Sequence, residues 1–187
     1  MSYFDRLPDY IDVDGVKLRI LTDFRVWTAF ERMMRFASDP GVVVPFMQKV
    51  LPDKKLAGTL EQMLGAMVYF YACGETAPKG KSTKKAKRII DYELDSGLIY
   101  AAFMAQYRID LTEELLHWWR FRALFDGLNE SHQIVKIMGY RAADVSSIKD
   151  PDRRKHYREM QNRYKLPDIR TPEEIERDNI RNLEKFF

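Results

Sequence analysis

The side chains able to act on a substrate or hold a metal are few and scattered. His117, His132 and His156 are the three histidines. They fall on different predicted elements, with no local metal-ligand spacing. Asp91-Tyr92-Glu93-Leu94-Asp95-Ser96-Gly97 places acids at the first, third and fifth positions of a calcium loop. The glycine comes one place late, and Ala102 stands where such a loop needs a bidentate glutamate. These acids read instead as favourable charges ahead of a helix N-terminus. Gly80-Lys81-Ser82 has the form of a P-loop ending, but Glu75 replaces the glycine that should open the loop. Cys73 is the single cysteine and closes an apolar helix, which reads as a structural thiol. No intramolecular disulfide can form, which fits a reducing compartment. The expectation is a protein that is not an enzyme, with no catalytic residues, no metal and no cofactor.

The remaining chemistry is that of binding. Two stretches are basic. One is the segment 79–88, with Lys79, Lys81, Lys84, Lys85, Lys87 and Arg88. The other is the helix predicted over 149–165, with Arg153, Arg154, Lys155, Arg158 and Arg163 beside Tyr157 and Tyr164. Phosphate contact is one reading of that helix. A solvated face with i,i+4 pairs such as Lys155 and Glu159 is the favoured one, because acids are interleaved and the net charge is only +3. Trp118 and Trp119 are adjacent, so a helix points them about 100° apart. One is expected in the core, and the other at its margin or in an interface, where tryptophan is enriched.

These residues need elements to position them. The 187 residues suit one domain with a tail, and 45% hydrophobic content supplies a core. Ile11 and Val13, then Asp14-Gly15, then Val16, Leu18 and Ile20 predict a β-hairpin. The Asp-Gly pair suits a type I′ turn, so Val13 faces Val16 and Ile11 faces Leu18, all four on one face. Thr22 or Asp23 can cap a helix with Phe24, Trp27, Phe30 and Met34 on one stripe. A short segment over 46–51 follows. Leu56, Leu60, Met63, Leu64, Met67 and Tyr71 predict a further helix, weakened by about 1 kcal/mol at each of Gly58 and Gly65.

Residues 75–88 lack an apolar period and read as a basic linker. Beyond it, Asp95 or Ser96 can cap a helix through Tyr107 that is apolar nearly all round, hence buried. Another helix is predicted from Glu113 to Phe125, a short one capped by Ser131, and a charged one opened by Asp150-Pro151. Thr171-Pro172-Glu173-Glu174 is a capping box at the head of a thinly apolar tail helix. The predicted fold class is mainly α: a helical domain with a short N-terminal β-hairpin. The domain covers 1–167, as an N-terminal segment at 1–74, the linker at 75–88 and a C-terminal segment at 89–167, with a helical tail at 168–187. The stretch 56–73 is too short and polar to span a bilayer, and the N-terminus does not read as a signal peptide.

Several stretches together resemble a family of small tailed-phage proteins. They are Asp91-Tyr92-Glu93-Leu94-Asp95, the run from Leu98 to Tyr107, Ile109-Asp110-Leu111 and the run from Leu116 to Leu124. Ile137-Met138-Gly139-Tyr140-Arg141, the pattern Lys149, Asp150, Arg154, Lys155, Tyr157, and Thr22-Asp23-Phe24-Arg25 extend the likeness over 7–167. Arg108 departs from it, standing where glycine is expected. The resemblance implies genes in the tail module of siphophages and prophages, beside the tape measure gene. It further implies a tail assembly chaperone-like protein in the host cytoplasm. Its partners would be tail proteins, above all the tape measure protein, with a homo-oligomer as a further option and no membrane. A structural protein retained in the tail is one alternative, and a nucleic-acid-binding regulator using 149–165 is another. The partner-binding candidates are Trp118, Trp119, Arg122, Tyr140, Arg141, Arg154 and Tyr157.

Overall fold

The N-terminal hairpin forms where alternation and turn chemistry place it. β1 (Tyr10–Val13) pairs antiparallel with β2 (Val16–Arg19), in the register Ile11 to Leu18 and Val13 to Val16. Asp14 and Gly15 take φ of 50° and 84°, as a type I′ turn requires. Ile11, Val13 and Leu18 are buried, but Val16, beside the turn, is 50% exposed. In this computed structural model residues 5–34, 40–75 and 87–168 are described, with backbone alone at 40–42. The expected basic linker therefore lies almost wholly outside the described residues, and so does the expected tail helix.

Seven α-helices follow the hairpin among the described residues. α1 (Phe24–Met34) is capped by Asp23, whose carboxylate accepts the Arg25 N–H at 3.0 Å. It buries Phe24, Trp27, Phe30 and Met33, one position short of the expected Met34. α2 (Pro40–Val50) is longer than the segment expected over 46–51 and carries Pro45 inside it. α3 (Leu60–Tyr71) opens later than its apolar pattern suggests. Thr59 and Gln62 form a capping box there, and Gly58 lies before the helix at φ +62°. α3 packs on β1, so the hairpin's apolar face is covered from the helix side.

α4 (Ser96–Tyr107) is buried on one face only, at Ile99, Ala102 and Phe103, while Ala101 and Ala105 face outwards. Arg108, where the phage pattern expects glycine, closes it at φ +60°. α5 (Trp118–Asp126) is shorter than predicted. Arg25 and an Asp110-centred turn occupy the stretch where it is expected to begin. Arg25 Nη2 donates to the carbonyls of Leu111 (2.6 Å), Thr112 (3.1 Å) and Glu114 (3.2 Å). The guanidinium thus holds this stretch against the head of α1. Leu116 O accepts the Phe24 N–H and Thr22 O accepts the Trp118 N–H, which holds the approach to α5 beside the head of α1. α6 (Gln133–Ala142) starts after His132 rather than Ser131. α7 (Pro151–Arg163) begins as expected, with Asp150 accepting the Arg153 N–H at 2.7 Å.

One apolar cluster joins the hairpin, α1, α2 and α3 to α4, α5 and α6. Trp27, Trp118, Phe30, Phe103 and Phe121 are its largest fully buried members, none more than 1% exposed. The architecture is mainly α with a short antiparallel hairpin.

Candidate interaction surfaces

Trp118 and Trp119 both lie in the core, at 0% and 3% exposure. This corrects the expectation that one of them reaches a margin. Helical geometry does separate the two rings, but α3 ends between them. Trp118 Nε1 donates to Tyr71 O and Trp119 Nε1 to Phe70 O, each at 2.8 Å. Two adjacent indoles thus donate to two adjacent carbonyls of the last turn of α3, where the helix ladder ends, and the Phe70 carbonyl also accepts the Cys73 N–H. Gly74 (φ +78°) makes room for this arrangement, since a Cβ there would come within 3.1 Å of the Trp119 ring.

His117 caps α5. Its Nδ1 accepts the Trp119 N–H at 3.1 Å, so the proton sits on Nε2, which donates to Pro8 O at 3.0 Å. Burial pushes the imidazole below its usual 6.5, with Arg120 adding to the effect and Pro8 O opposing it. His132 bonds to Gln106 at 2.9 Å, and His156 packs edge-on against Tyr140. Each histidine therefore has its own local partners. No group of three His, Cys, Asp or Glu side chains able to hold a metal forms among the described residues.

Arg122 stands at the edge of the core. Its Nη1 donates to Tyr92 Oη at 3.1 Å, and its guanidinium lies 5.8 Å from the Trp118 ring. Burial holds the Tyr92 hydroxyl above the usual phenol range, although Arg122 works against this. Tyr92 also separates two hollows. A hollow of about 340 Å³ is lined by Phe24, Ile99, Tyr100, Leu111 and Phe121 among others. A hollow of about 250 Å³ with Glu31, Arg32, Asp91 and Glu93 on its walls shares Thr28 and Tyr92 with it. Together they form a groove between α1 and the head of α4, apolar at one end and charged at the other.

Arg141 is not a surface residue. Its side chain is 8% exposed and that of Asp95 5%. The guanidinium grips both carboxylate oxygens of Asp95, at 2.6 and 3.0 Å, and donates also to Ile89 O and Tyr164 O. Asp95 in turn accepts the Asp91 N–H at 3.0 Å, while Asp91 Oδ1 accepts from the backbone of Glu93 and Leu94. Two of the acids expected to serve a helix dipole, Asp91 and Asp95, are thus the hub of a buried clamp tying α6, the end of α7 and the head of α4.

Tyr140 and Tyr157 come together where α7 lies on α6, and Arg154 stands on α7 three residues before Tyr157. All three are half-buried. Tyr140 meets Tyr157 edge-on at 5.4 Å and stacks on Tyr164 at 6.4 Å. The outer side of α7 carries Arg153, Lys155 and Arg158 with Asp152 and Glu159 between them, all exposed. The seven candidates therefore do not form one patch: three are buried, Arg122 edges the core beside Tyr92, Tyr140 and Tyr157 join two helices, and Arg154 is half-buried on α7.

Sequence reasoning missed the most exposed apolar face. α3 buries Met63, Met67 and Phe70 on one side. Beside that stripe it shows Leu60 (41%) and Val68 (41%), with Leu64 half-buried between them, and further round Tyr69 (52%). Leu60, Leu64 and Val68 recur every four residues, one above another on a single face. Glu61 is the helix's only charged residue. The near-absence of polar residues from this helix was the available signal, because a one-sided helix should carry charge on its outer face.

A family model described as Bacteriophage Gp15 protein matches residues 3–166. The chain belongs to this family. The Gp15 match takes in the hairpin, all seven helices and every candidate residue, and stops just before the tail. Neither a curated protein nor a solved structure matches the chain. No helix among the described residues is long and apolar enough to cross a membrane.

Proposed function

We propose that this phage protein is a non-enzymatic binding factor of tail assembly, which holds an apolar helical segment of a partner against the outer face of α3. The exposed ladder of Leu60, Leu64 and Val68 carries the reading. Helices dock on such ladders through anchors at i, i+3, i+4 and i+7. Large apolar side chains aligned on one face are also what a soluble chain otherwise avoids showing to water. Membership of the Gp15 family supports a phage role. The resemblance in sequence supports the tape measure protein as the partner, held by a chaperone-like factor in the host cytoplasm until tail subunits assemble around it.

Co-expression with the tape measure protein of the same phage tests this. The expected result is a soluble complex recovered by affinity capture of either chain. Leu60→Lys together with Val68→Lys should abolish capture while changing stability by no more than about 0.5 kcal/mol per site, since both positions are exposed. Failure to recover any complex with the unaltered chain would overturn the proposal. Mass spectrometry of purified virions separates a chaperone, absent from finished particles, from a structural tail component.

A further inference from the structure

The end of the described chain is fixed to the rim of the groove between α1 and α4. Arg88 Nη1 donates to Pro167 O at 3.1 Å, and its Nη2 pairs with Asp91. Asp91 lines the charged hollow, and Tyr92, the next residue, lines both hollows. Arg141 adds a second tie through Tyr164 O at 2.7 Å. Pro167 is thereby tied, through Arg88, to Asp91 at the groove's charged end.

The sequence beyond that point carries what the groove lacks. Ile180, Leu183 and Phe187 are spaced i, i+3 and i+7, the anchor pattern of a helix seated in a groove. Arg181 and Lys185 outnumber Glu184 in this segment, while on the charged walls Glu31, Asp91 and Glu93 outnumber Arg32, which pairs with Glu93. The segment has reach of its own: about four extended residues to the capping box and eight helical ones beyond it span up to about 25 Å. The apolar hollow, about 340 Å³, is of the size that takes a few side chains. We propose that the segment 180–187 of this same chain docks into the groove between α1 and α4, with Ile180, Leu183 and Phe187 covering its apolar end.

This proposal is independent of the reading of α3, which lies on a different surface, and its test needs no client. The full chain is made with the photo-reactive residue p-benzoylphenylalanine in place of Phe187, and cross-links are mapped by mass spectrometry. Cross-links within one chain to 24–32, 92–100 or 111–121 are expected. Gly97→Trp should lower their yield at least fivefold. Gly97 lines the apolar hollow and a Cβ there meets nothing within 4 Å, so the added ring fills the hollow without disturbing the core. Circular dichroism confirms that the blocked variant folds, and Thr28→Trp is the second block should it not. Three outcomes overturn the proposal: cross-links confined to other surfaces, a yield that neither block changes, or cross-links between two chains, which would make a second copy the occupant.

Discussion

Arg141 on α6 and Asp95 at the head of α4 share two hydrogen bonds, of 2.6 and 3.0 Å, in a setting almost closed to water. Such a pair is asymmetric in its energetics. Removing one partner leaves a buried charge alone, and Arg141→Met should cost about 3–5 kcal/mol. Adding Asp95→Leu to that variant removes the stranded carboxylate and should recover some of the loss. Recovery stays incomplete, because Ile89 O, Tyr164 O and the Asp91 N–H lose their partners as well. Urea unfolding followed by circular dichroism measures all three chains. Full stability in Arg141→Met alone would contradict the clamp.

The capping histidine links stability to pH. The folded chain holds His117 below 6.5, chiefly by burial. As pH falls past 6.5 the unfolded chain takes up this proton before the folded chain does. The contribution of His117 is thus fully present above 6.5, shrinks as pH falls, and is gone below the lowered folded value. His117→Asn keeps an acceptor suited to a helix N-cap but cannot titrate. Melting temperatures between about pH 7 and pH 5, the range that brackets an ordinary histidine, should fall less steeply in this variant than in the unaltered chain. Identical slopes would show that the imidazole is not held neutral.

Arg108 occupies the left-handed region at φ +60° and ψ 27°, at an exposed helix end. A side chain there costs about 1 kcal/mol that glycine avoids. Arg108→Gly should therefore raise stability by about 1 kcal/mol, an unusual direction for a glycine substitution. Arg108→Ala, which keeps the Cβ, should stay within about 0.5 kcal/mol of the original. Chemical denaturation of the three chains decides it, and a destabilised Arg108→Gly would contradict the cost assigned to this backbone.

The regions of the fold legible in the sequence are those governed by short-range rules. Asp14-Gly15 and its flanking alternation set the hairpin register, and Asp150-Pro151 set the start of α7. What escaped was set by distant partners. Nothing near Glu113 in sequence indicates that Arg25 will bond the carbonyls of Leu111, Thr112 and Glu114 and hold this stretch beside α1. The candidate surface suffered the same limit. Trp118, Trp119 and Arg141 have the residue types enriched in interfaces, yet their polar atoms find partners far along the chain and draw them inside. The face of α3 was overlooked for the opposite reason: a helix apolar on both sides looks, from sequence, like one buried on both sides.

The paired indole bonds from α5 to the last turn of α3 have a consequence for how the chain could be divided. They join residues on opposite sides of 76–86 and lie inside the shared apolar cluster. A protease nick within 76–86 would sever the backbone but none of these ties. The two pieces should stay together as one particle under native conditions and separate only in denaturant. Neither piece alone has a complete interior, so the protein is suited to use as a split pair whose halves regain their shape only by finding each other.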